Sequence, residues 1–523
     1  MMSTATLSNG PLGNIRRLLR NPLIALPVLI IYIGLVIWVL LLLDRRSTIF
    51  PLLSTLAFPP LVLSPFITLA LPINRWLKGI IIVALLLIVL PVVGIYDGSY
   101  LELAIQTCIF SGLALGLNIV VGFAGLLDLG YVAFFAVGAY LWAMFTSTAD
   151  TYFKINNMLV PGNYLYLFMF IGVIVAAVGG ILLGLPVLRL RGDYLAIVTL
   201  GFGEMIRILA QNSDSVGSPP INFTNGSQGL QAVGKPLIPQ FLRDFVTTLA
   251  NVFHLNVANP QPLTQQLLFY FIAIAVIIIF LLIATRLENS PIGRAWTAIR
   301  EDEVAAIAMG VPLVRMKLTA FAMGACFAGA IGALYAAKQT FVSPESFSLI
   351  QSINILAIVI VGGIGSIQGV LLGAAVVTLL NLQVLTNLSL QINAWRNVKA
   401  VLPQSAIIII AIIIALFLLR LAWNNLKPWI RSRDSSSIKP FNIVMGIIWV
   451  LLAVAVIGIA LSSGDFPIQN WPSQLEPAKY QRFVFGILLV LMMIFRPAGL
   501  LPEARRRMEL QGAKVEKQVD EEA

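Results

Sequence analysis

The sequence Leu-Leu-Phe-Tyr-Phe-Ile-Ala-Ile-Ala-Val-Ile-Ile-Ile-Phe-Leu-Leu-Ile-Ala-Thr runs from Leu267 to Thr285 without a charged side chain. A helix rises about 1.5 Å per residue, so about 20 apolar residues cross the hydrocarbon core of a bilayer. Lipid offers the backbone no hydrogen-bond partners, and a helix satisfies its own backbone. The stretch therefore predicts a transmembrane helix.

Similar apolar segments recur along the whole chain. About 14 qualify as candidate spans if short and proline-containing ones are included. They are Leu23–Leu43, Phe50–Leu71, Leu77–Tyr96, Leu101–Val121, Leu126–Phe145, Tyr164–Leu185, Tyr194–Ala210, Leu267–Thr285, Leu318–Ala337, Ser352–Val361, Val370–Leu388, Ser405–Leu419, Asn442–Leu461 and Phe483–Phe495. This series predicts an all-α, polytopic integral membrane protein.

The overall composition agrees with membrane residence. Of the 523 residues, 59% are hydrophobic and 11% are charged. A soluble domain carries about a quarter charged residues, so this chain lacks the polar surface of a soluble globule. A soluble fold is therefore excluded.

The net charge of +11 is carried by short basic clusters between apolar runs rather than by one basic stripe. Such clusters mark cytoplasmic loops, and the pattern argues against nucleic-acid binding. Counting spans from a cytoplasmic N-terminus puts loop Gln211–Gln266 outside. Loops Arg286–Lys317 and Arg420–Lys439 and the C-terminal tail then lie in the cytoplasm. We therefore expect a multi-pass membrane protein with both termini cytoplasmic.

Residues for catalysis or cofactor binding are scarce. Cys108 and Cys326 lie in apolar runs, and His254 is the single histidine. Gly229 to Lys235 fits the spacing GxxxxGK, but Pro236 occupies the position of the Ser or Thr that holds magnesium. The chain is therefore expected to bind no cofactor and to contain no ATPase of its own.

Glycine interrupts two of the apolar regions. Gly122 and Gly125 end one span, and the run from Val361 to Gly369 contains Gly362, Gly363, Gly365 and Ser366. Non-helical backbone at membrane depth occurs where it is buried in protein or lines a wet cavity. The second run is either part of a translocation path or a plain turn between two helices, and the glycines of the first are also compatible with tight helix packing.

Glu204 and Arg207 are spaced as a helical i,i+3 pair inside the candidate span Tyr194–Ala210. At the bilayer centre each would cost about 2.5–3.5 kcal/mol, which far exceeds what a helical ion pair returns. The pair must therefore lie near the external boundary or point into the bundle, and Glu204 is a candidate for the path.

The loop from Arg286 to Lys317 is short, mixed in charge and helical by pattern. Ser290 followed by Pro291 is typical of a helix start. A second short helix is predicted from about Asp302 to Met309, ending at Gly310. This arrangement suits docking to a partner, although a merely solvated loop is the alternative.

These residues carry a family resemblance. Glu303-Val-Ala-Ala306 with Gly310 resembles the EAA loop of ABC importer permeases, with one inserted valine. Further blocks resemble the LivM-type branched-chain amino acid permeases: Leu188–Arg207, Gly116–Gly125 continuing to Leu129–Gly130 and Val137–Tyr140, Thr224–Leu230, Gly362–Ser366 and Phe495–Leu501. The resemblance covers roughly Leu101–Leu380 and Gln481–Pro502.

The resemblance implies a channel-forming permease subunit with a LivH-type second permease, two cytoplasmic ABC ATPases that bind ATP and magnesium, and an external substrate-binding protein. It implies that the helix around Glu303, Ala305, Ala306 and Gly310 couples the channel to an ATPase. The candidates for the translocation path are Asn118, Gly122, Gly125, Glu204, Gly362, Gly363, Gly365 and Ser366.

The domain organisation follows from where the resemblance stops. Residues 1–96 form an N-terminal extension of about three spans, and residues 97–387 form the core. Residues 388–479 are an inserted helical hairpin with the basic linker 420–439, residues 480–502 are the last core span, and residues 503–523 are a charged tail. The additions are either peripheral packing elements or a docking site for another subunit.

Three alternatives to an amino acid permease are kept. Urea and short-chain amide permeases are close relatives, so the substrate is uncertain within the class. A secondary transporter working without nucleotide would need intramembrane acids, for which Glu204 and Glu102 are the candidates. A membrane-bound enzyme is disfavoured because no His, Cys or paired acids cluster in the spans.

Overall fold

The computed structural model describes residues 22–42, 50–149, 160–187, 193–218, 220–252, 260–397, 401–402, 408, 411–412, 415–416, 418–420, 422–423, 440–462, 466–467, 477–496 and 498–501. Within these ranges the secondary structure is helical apart from short strands of two residues each. The all-α fold class is confirmed.

The helices occupy most of the described ranges, and the connection between Gln211 and Gln240 is a long one. In chain order they are α1 (Pro22–Leu42), α2 (Phe50–Ala70), α3 (Arg75–Tyr96), α4 (Gly98–Phe123), α5 (Val132–Thr146), α6 (Leu165–Val187), α7 (Asp193–Gln211), α8 (Gln240–Val252), α9 (Pro260–Glu288), α10 (Pro291–Glu301), α11 (Glu303–Ala308), α12 (Leu313–Gln339), α13 (Leu349–Gly362), α14 (Ile367–Leu379), α15 (Leu385–Asn397), α16 (Pro440–Ser462) and α17 (Gln481–Phe495).

Eight helices of the described ranges are long and apolar enough to cross a bilayer, and α9 contains the opening run. Shorter apolar helices lie at Ala25–Leu40, Ala57–Ala70, Val132–Thr146 and Ile448–Gly458. Wherever they are described, the predicted spans therefore overlap helices, although not always over their full length. The candidate span Ser405–Leu419 falls largely outside the described residues, as does the basic linker 420–439, and the tail 503–523 lies wholly outside them.

One predicted span begins in the wrong place. Leu126–Phe145 was expected to be helical throughout, but α5 begins only at Val132 and the residues before it are coil. The cause is local: Gly125 has a φ of 71°, and the carboxylate of Asp128 accepts a hydrogen bond from the Gly130 amide at 2.9 Å. Both features favour a turn over a continuing helix.

The proline-rich α2 is helical as predicted. Pro65 has no amide hydrogen, so it cannot satisfy the carbonyl of Leu61 one turn earlier. The Ser64 hydroxyl donates to that carbonyl at 2.6 Å. The side chain therefore replaces the missing backbone hydrogen bond, as membrane helices require.

The core of the bundle is formed where α5, α6 and α12 cross at glycine. A Cβ on Gly138 would overlap the carbonyl oxygen of Gly329, and a Cβ on Gly329 would overlap that of Gly172. Small residues permit this backbone contact between membrane helices. The tight packing expected from the glycine content is thus present at this crossing.

Two pairs of short strands join distant loops. Leu230–Gln231 pairs antiparallel with Phe341–Val342, with Leu230 opposite Val342. Val401–Leu402 pairs antiparallel with Phe466–Pro467. The first pair ties the loop after α7 to the end of α12.

The chain divides into two compact units. One comprises residues Met1–Val384 and Phe483–Ala523, and the other comprises Leu385–Arg482. The second contains α15, α16 and the strand pair Val401–Leu402 with Phe466–Pro467. The reading of residues 388–479 as an insertion into a permease core stays a prediction.

Candidate translocation and coupling site

The helix α4 changes its winding near its end. Residues Asn118–Phe123 form a π-helical turn, and every residue of that turn is buried. Isolated π turns inside α-helices are frequently found at functional sites. The chain then passes through Gly125 into coil, so the helix is interrupted before α5 begins. The residues Asn118–Gly125 form the π-helical break of α4.

The helix α5 is too short to cross a bilayer alone. Its 15 residues extend about 22 Å, against a hydrocarbon core of about 30 Å. Adjoining residues are therefore needed to complete a crossing, and irregular backbone within a bilayer needs partners within the protein. The coil before α5 has such partners, because the Leu129 and Gly130 amides donate to Thr199 and Asp128.

Asn118 joins this break to the turn between α13 and α14. Its Oδ1 accepts a hydrogen bond from the Gly365 amide at 2.9 Å. A Cβ at Gly122 would overlap that same Oδ1 and lie 2.7 Å from the Gly365 nitrogen. Three of the predicted path residues, Asn118, Gly122 and Gly365, are therefore in contact.

The run Gly362–Ser366 is a short turn between helices that is buried in the protein. Gly363 and Gly365 have φ angles of 121° and 85°, which glycine adopts at little cost. Ser366 ends the turn by accepting a hydrogen bond from the Gly369 amide at 3.1 Å, which caps α14. The turn and the break of α4 form one buried glycine-rich contact.

Replacing Asn118 with alanine is expected to lower thermal stability. The Gly365 amide is buried and would lose its partner, and leaving such a group unsatisfied costs about 1–3 kcal/mol. Thermal unfolding of the detergent-purified protein measures the effect. Asn118→Asp retains an acceptor and is the control, and equal stability of Asn118→Ala and wild type would contradict the contact.

The C-terminal motif completes this contact. The amides of Leu500 and Leu501 donate to the carbonyls of Val361 at 2.9 Å and Gly362 at 3.1 Å. Gly499 has a φ of 80° and lies against Gly363. The sequence identified this motif as part of the family resemblance but not as part of the site, because the two segments are far apart in the chain.

The segment α10–α11 is capped as the sequence predicts. The Ser290 hydroxyl accepts from the Gly293 amide at 3.1 Å, with Pro291 in the first turn of α10. The Asp302 carboxylate accepts from the amides of Val304 at 2.7 Å and Ala305 at 3.0 Å. Asp302 therefore ends one helix and begins the next.

Gly310 ends α11 in a defined geometry. Its amide donates to the Ile307 carbonyl at 2.9 Å, and the Val311 amide donates to the Ala306 carbonyl at 3.0 Å. The Gly310 φ is 85°. These two bonds are those of a Schellman motif, which places a left-handed glycine just beyond a helix.

The two faces of α11 differ. Ala306 is buried, whereas Val304, Ile307 and Met309 are 67%, 49% and 85% exposed, and Ala305 is exposed with them. Glu303 pairs with Lys317 at the start of α12 at 2.5 Å, and Lys317 is 3% exposed. The helix is thus tied to α12 on one side and presents apolar side chains on the other.

Arg300, in the last turn of α10, contacts the break of α4. Its Nη1 donates to the Gly122 carbonyl at 2.6 Å. A Cβ at Gly125 would lie 2.6 Å from the Arg300 Cγ and 3.1 Å from its Cβ. Sequence reasoning missed Arg300, because an arginine in a helical loop of mixed charge carries no signal of its own.

Glu204 lies apart from these residues. On α7 its carboxylate binds Arg207 at 2.7 Å, and Arg207 also approaches Glu345 at 3.5 Å. The expected i,i+3 pair is formed and is partly exposed. In the described part of the chain, no hydrogen bond or ion pair joins Glu204 to Asn118 or to Gly362–Ser366.

Asp128 is a buried acid that the sequence reasoning did not consider. It is 1% exposed, and its carboxylate holds the Gly130 amide in the coil before α5. The neighbouring Leu129 amide donates to the Thr199 hydroxyl of α7 at 3.0 Å. The signal was available, because an acid within an apparent span is a candidate functional residue.

A second ion pair joins α4 to the far end of α12. Glu102 pairs with Lys338, whose side chain is 7% exposed, and also accepts from the Gln106 amide at 3.2 Å. Among the described residues, no group of three or more His, Cys, Asp or Glu side chains has the arrangement of a metal site. Glu102, Glu204 and Glu303 each pair with a basic side chain, and Asp128 accepts from a backbone amide.

A multi-pass helical bundle with a buried, glycine-rich break connected to a capped surface helix defines the class of membrane transport proteins. The chain belongs to the family of branched-chain amino acid transport system permease components, whose family model matches residues 99–417. The resemblance inferred from the motifs is confirmed.

Individual relatives agree with this family. The chain is 40% identical over 303 residues to the high-affinity branched-chain amino acid transport system permease protein LivM of Salmonella typhimurium, covering 57% of this chain and 66% of the relative. It is 40% identical over 305 residues to LivM of Escherichia coli, with the same coverage. A probable LivM of Methanocaldococcus jannaschii is 22% identical over 255 residues, 48% of this chain and 65% of the relative.

The match to these relatives is partial. It spans 66% of the two LivM proteins, slightly under two thirds of their length. No solved structure matches the chain.

Proposed function

We propose that this chain is the channel-forming permease subunit of an ABC importer for branched-chain or other neutral amino acids. The observation that carries this proposal is the 40% identity to LivM over 303 residues. The match to the family model, over residues 99–417, includes the π-helical break and α10–α11. The chain forms one wall of a path that opens alternately to each side of the membrane. ATP hydrolysis in partner subunits drives the change.

The proposed partners follow from the surfaces of the chain. The exposed apolar face of α11 suits a cytoplasmic ATPase, of which the complex has two. A LivH-type permease forms the other wall of the path, and an external binding protein delivers the substrate. The chain is a transport subunit rather than an enzyme, so ATP and magnesium bind to the ATPases.

The GxxxxGK segment supports an ATPase outside this chain. The Val233 amide donates to the Thr340 carbonyl at 3.1 Å, and the Gly234 carbonyl accepts from the Trp142 indole at 3.1 Å. A phosphate-binding loop leads directly into a helix, whereas here the next helix, α8, begins at Gln240. The segment is therefore a structural loop.

The proposed location is the bacterial inner membrane, with both ends of the chain and α10–α11 on the cytoplasmic side. The distribution of basic residues supports this orientation. The loop between α7 and α9 then faces outwards. The broken α4–α5 connection is placed toward the cytoplasm, on the same side as α10.

Substrate-stimulated ATP hydrolysis tests the function. The chain, its partner permease, both ATPases and the binding protein are reconstituted in liposomes, and leucine, other neutral amino acids and urea are added separately. Leucine is expected to raise ATP hydrolysis and to accumulate inside. Stimulation by urea alone would assign the chain to urea or short-chain amide transport instead.

A further inference from the structure

We propose that Arg300 is the positioning residue that connects the cytoplasmic helices α10–α11 to the π-helical break of α4. When an ATPase displaces α11, Arg300 transmits the movement and shifts the backbone of the break. The inference rests on the proposed function, because it concerns how the chain is driven.

The first observation is the hydrogen bond between Arg300 and Gly122. The acceptor is one of the last carbonyls of α4, and such carbonyls lack a following helical turn to supply donors. A cation is also favoured at this end of a helix dipole. The 2.6 Å distance from Nη1 to the oxygen indicates a strong, charge-assisted bond.

The second observation is that the arginine stem packs directly on the coil. The Gly125 backbone approaches Arg300 so closely that a Cβ there would lie 3.3 Å from the Arg300 Cα and closer still to its side chain. Gly125 has a φ of 71°, so its conformation also favours glycine. The Arg300 guanidinium thus binds Gly122 before the turn that ends α4, and the aliphatic part of its side chain packs on Gly125 within that turn.

The third observation is that the break has a second partner on its other side. Gly122 lies against Asn118 of α4 and against the Gly365 amide, which belongs to the buried turn between α13 and α14. A shift of Gly122 cannot occur without a response from that turn, because no space separates them. Arg300 therefore acts on the place in the bundle where the predicted path residues Asn118, Gly122 and Gly365 are in contact.

The fourth observation is that α10 and α11 are linked closely enough to move together. Arg300 is two residues before Asp302, whose carboxylate caps α11. The Trp296 indole donates to the Met316 carbonyl at 2.7 Å, which attaches α10 to the start of α12. A force on the exposed face of α11 therefore reaches Arg300 through one short, capped connection.

The test is the number of substrate molecules transported per ATP hydrolysed by the complete reconstituted complex. Wild type establishes the ratio; absence of ATP-driven uptake by wild type would refute the proposed function itself. Arg300→Gln is expected to assemble and hydrolyse ATP while the ratio falls on the order of tenfold, the scale of a typical coupling free energy. Arg300→Lys retains a charged donor and is expected to be intermediate.

Arg294→Gln is the matched control. Arg294 lies on the same helix, is exposed, and donates to Asn289 rather than to α4. It is expected to keep the wild-type ratio. An unchanged ratio in Arg300→Gln overturns the proposal, and so does a parallel loss of uptake, hydrolysis and thermal stability, which would indicate a structural role only. If Arg300→Gln does not assemble, a wild-type ratio in Arg300→Lys overturns it.

Discussion

Replacing Gly138 with valine is expected to prevent the protein from folding into its membrane bundle. Gly138 of α5 lies against the backbone of Gly329 in α12, and even a Cβ would overlap the Gly329 carbonyl. Overpacking in a core usually costs about 1–3 kcal/mol, because side chains move aside. Here the neighbour is backbone and α6 contacts Gly329 from its other side, so the helices would have to separate.

Size-exclusion chromatography after mild detergent extraction measures this effect. Gly138→Val is expected to eliminate the monodisperse peak, and Gly138→Ala to reduce it. Gly79→Ala is the matched control, because nothing lies within 4 Å of a Cβ at Gly79. Alanine there is expected to stabilise the helix by up to about 1 kcal/mol. A normal elution profile for Gly138→Val would contradict the packing of α5 on α12.

Combining Glu303→Gln with Gly310→Val is expected to lower ATP-driven uptake strongly while the chain remains folded. Valine at the Gly310 φ of 85° costs about 1–2 kcal/mol and disrupts the end of α11. Glutamine keeps an acceptor for Lys317 but removes the charge from a pair at 2.5 Å. Since 1.4 kcal/mol corresponds to about a tenfold change, the two changes together are expected to lower uptake by one to two orders of magnitude.

Uptake of radiolabelled leucine into liposomes with internal or external ATP measures this loss. Gly310→Asn is the matched control, because asparagine tolerates the left-handed conformation better than valine. It is expected to retain most of the uptake. Undiminished uptake by the double variant would favour a transporter that works without ATP.

Much of the fold was predictable because it depends on local apolar composition. The uncharged run Leu267–Thr285 lies within α9, and even the proline-rich segment starting at Phe50 is helical. The caps of α10 and α11 were also predictable, since Ser290 and Asp302 act on amides only two or three residues away. Interactions between residues this close in the chain can be predicted from the sequence.

The site was only partly predictable because its contacts join distant segments. Gly122 and Gly365 were recognised as breaks in apolar runs, yet nothing in the sequence indicated that Asn118 brings them together. Asp128 was hidden because a span was assumed to continue through it, whereas its carboxylate holds a turn at Gly130. Arg300 gave no signal, because its partner is a backbone carbonyl 178 positions away.

The sequence alone determined that this protein spans the membrane as helices, because lipid leaves an apolar chain no other way to satisfy its backbone. It also located most of those helices, but it misplaced the starts of α5 and α9 and treated α8 as part of a loop. Only the tertiary structure decided which glycines are in contact. Such contacts are made by the backbone, so no pattern of side chains in the sequence indicates them. It likewise decided that Arg300 lies against the break of α4, because that contact depends on how α10 packs rather than on the residues around it.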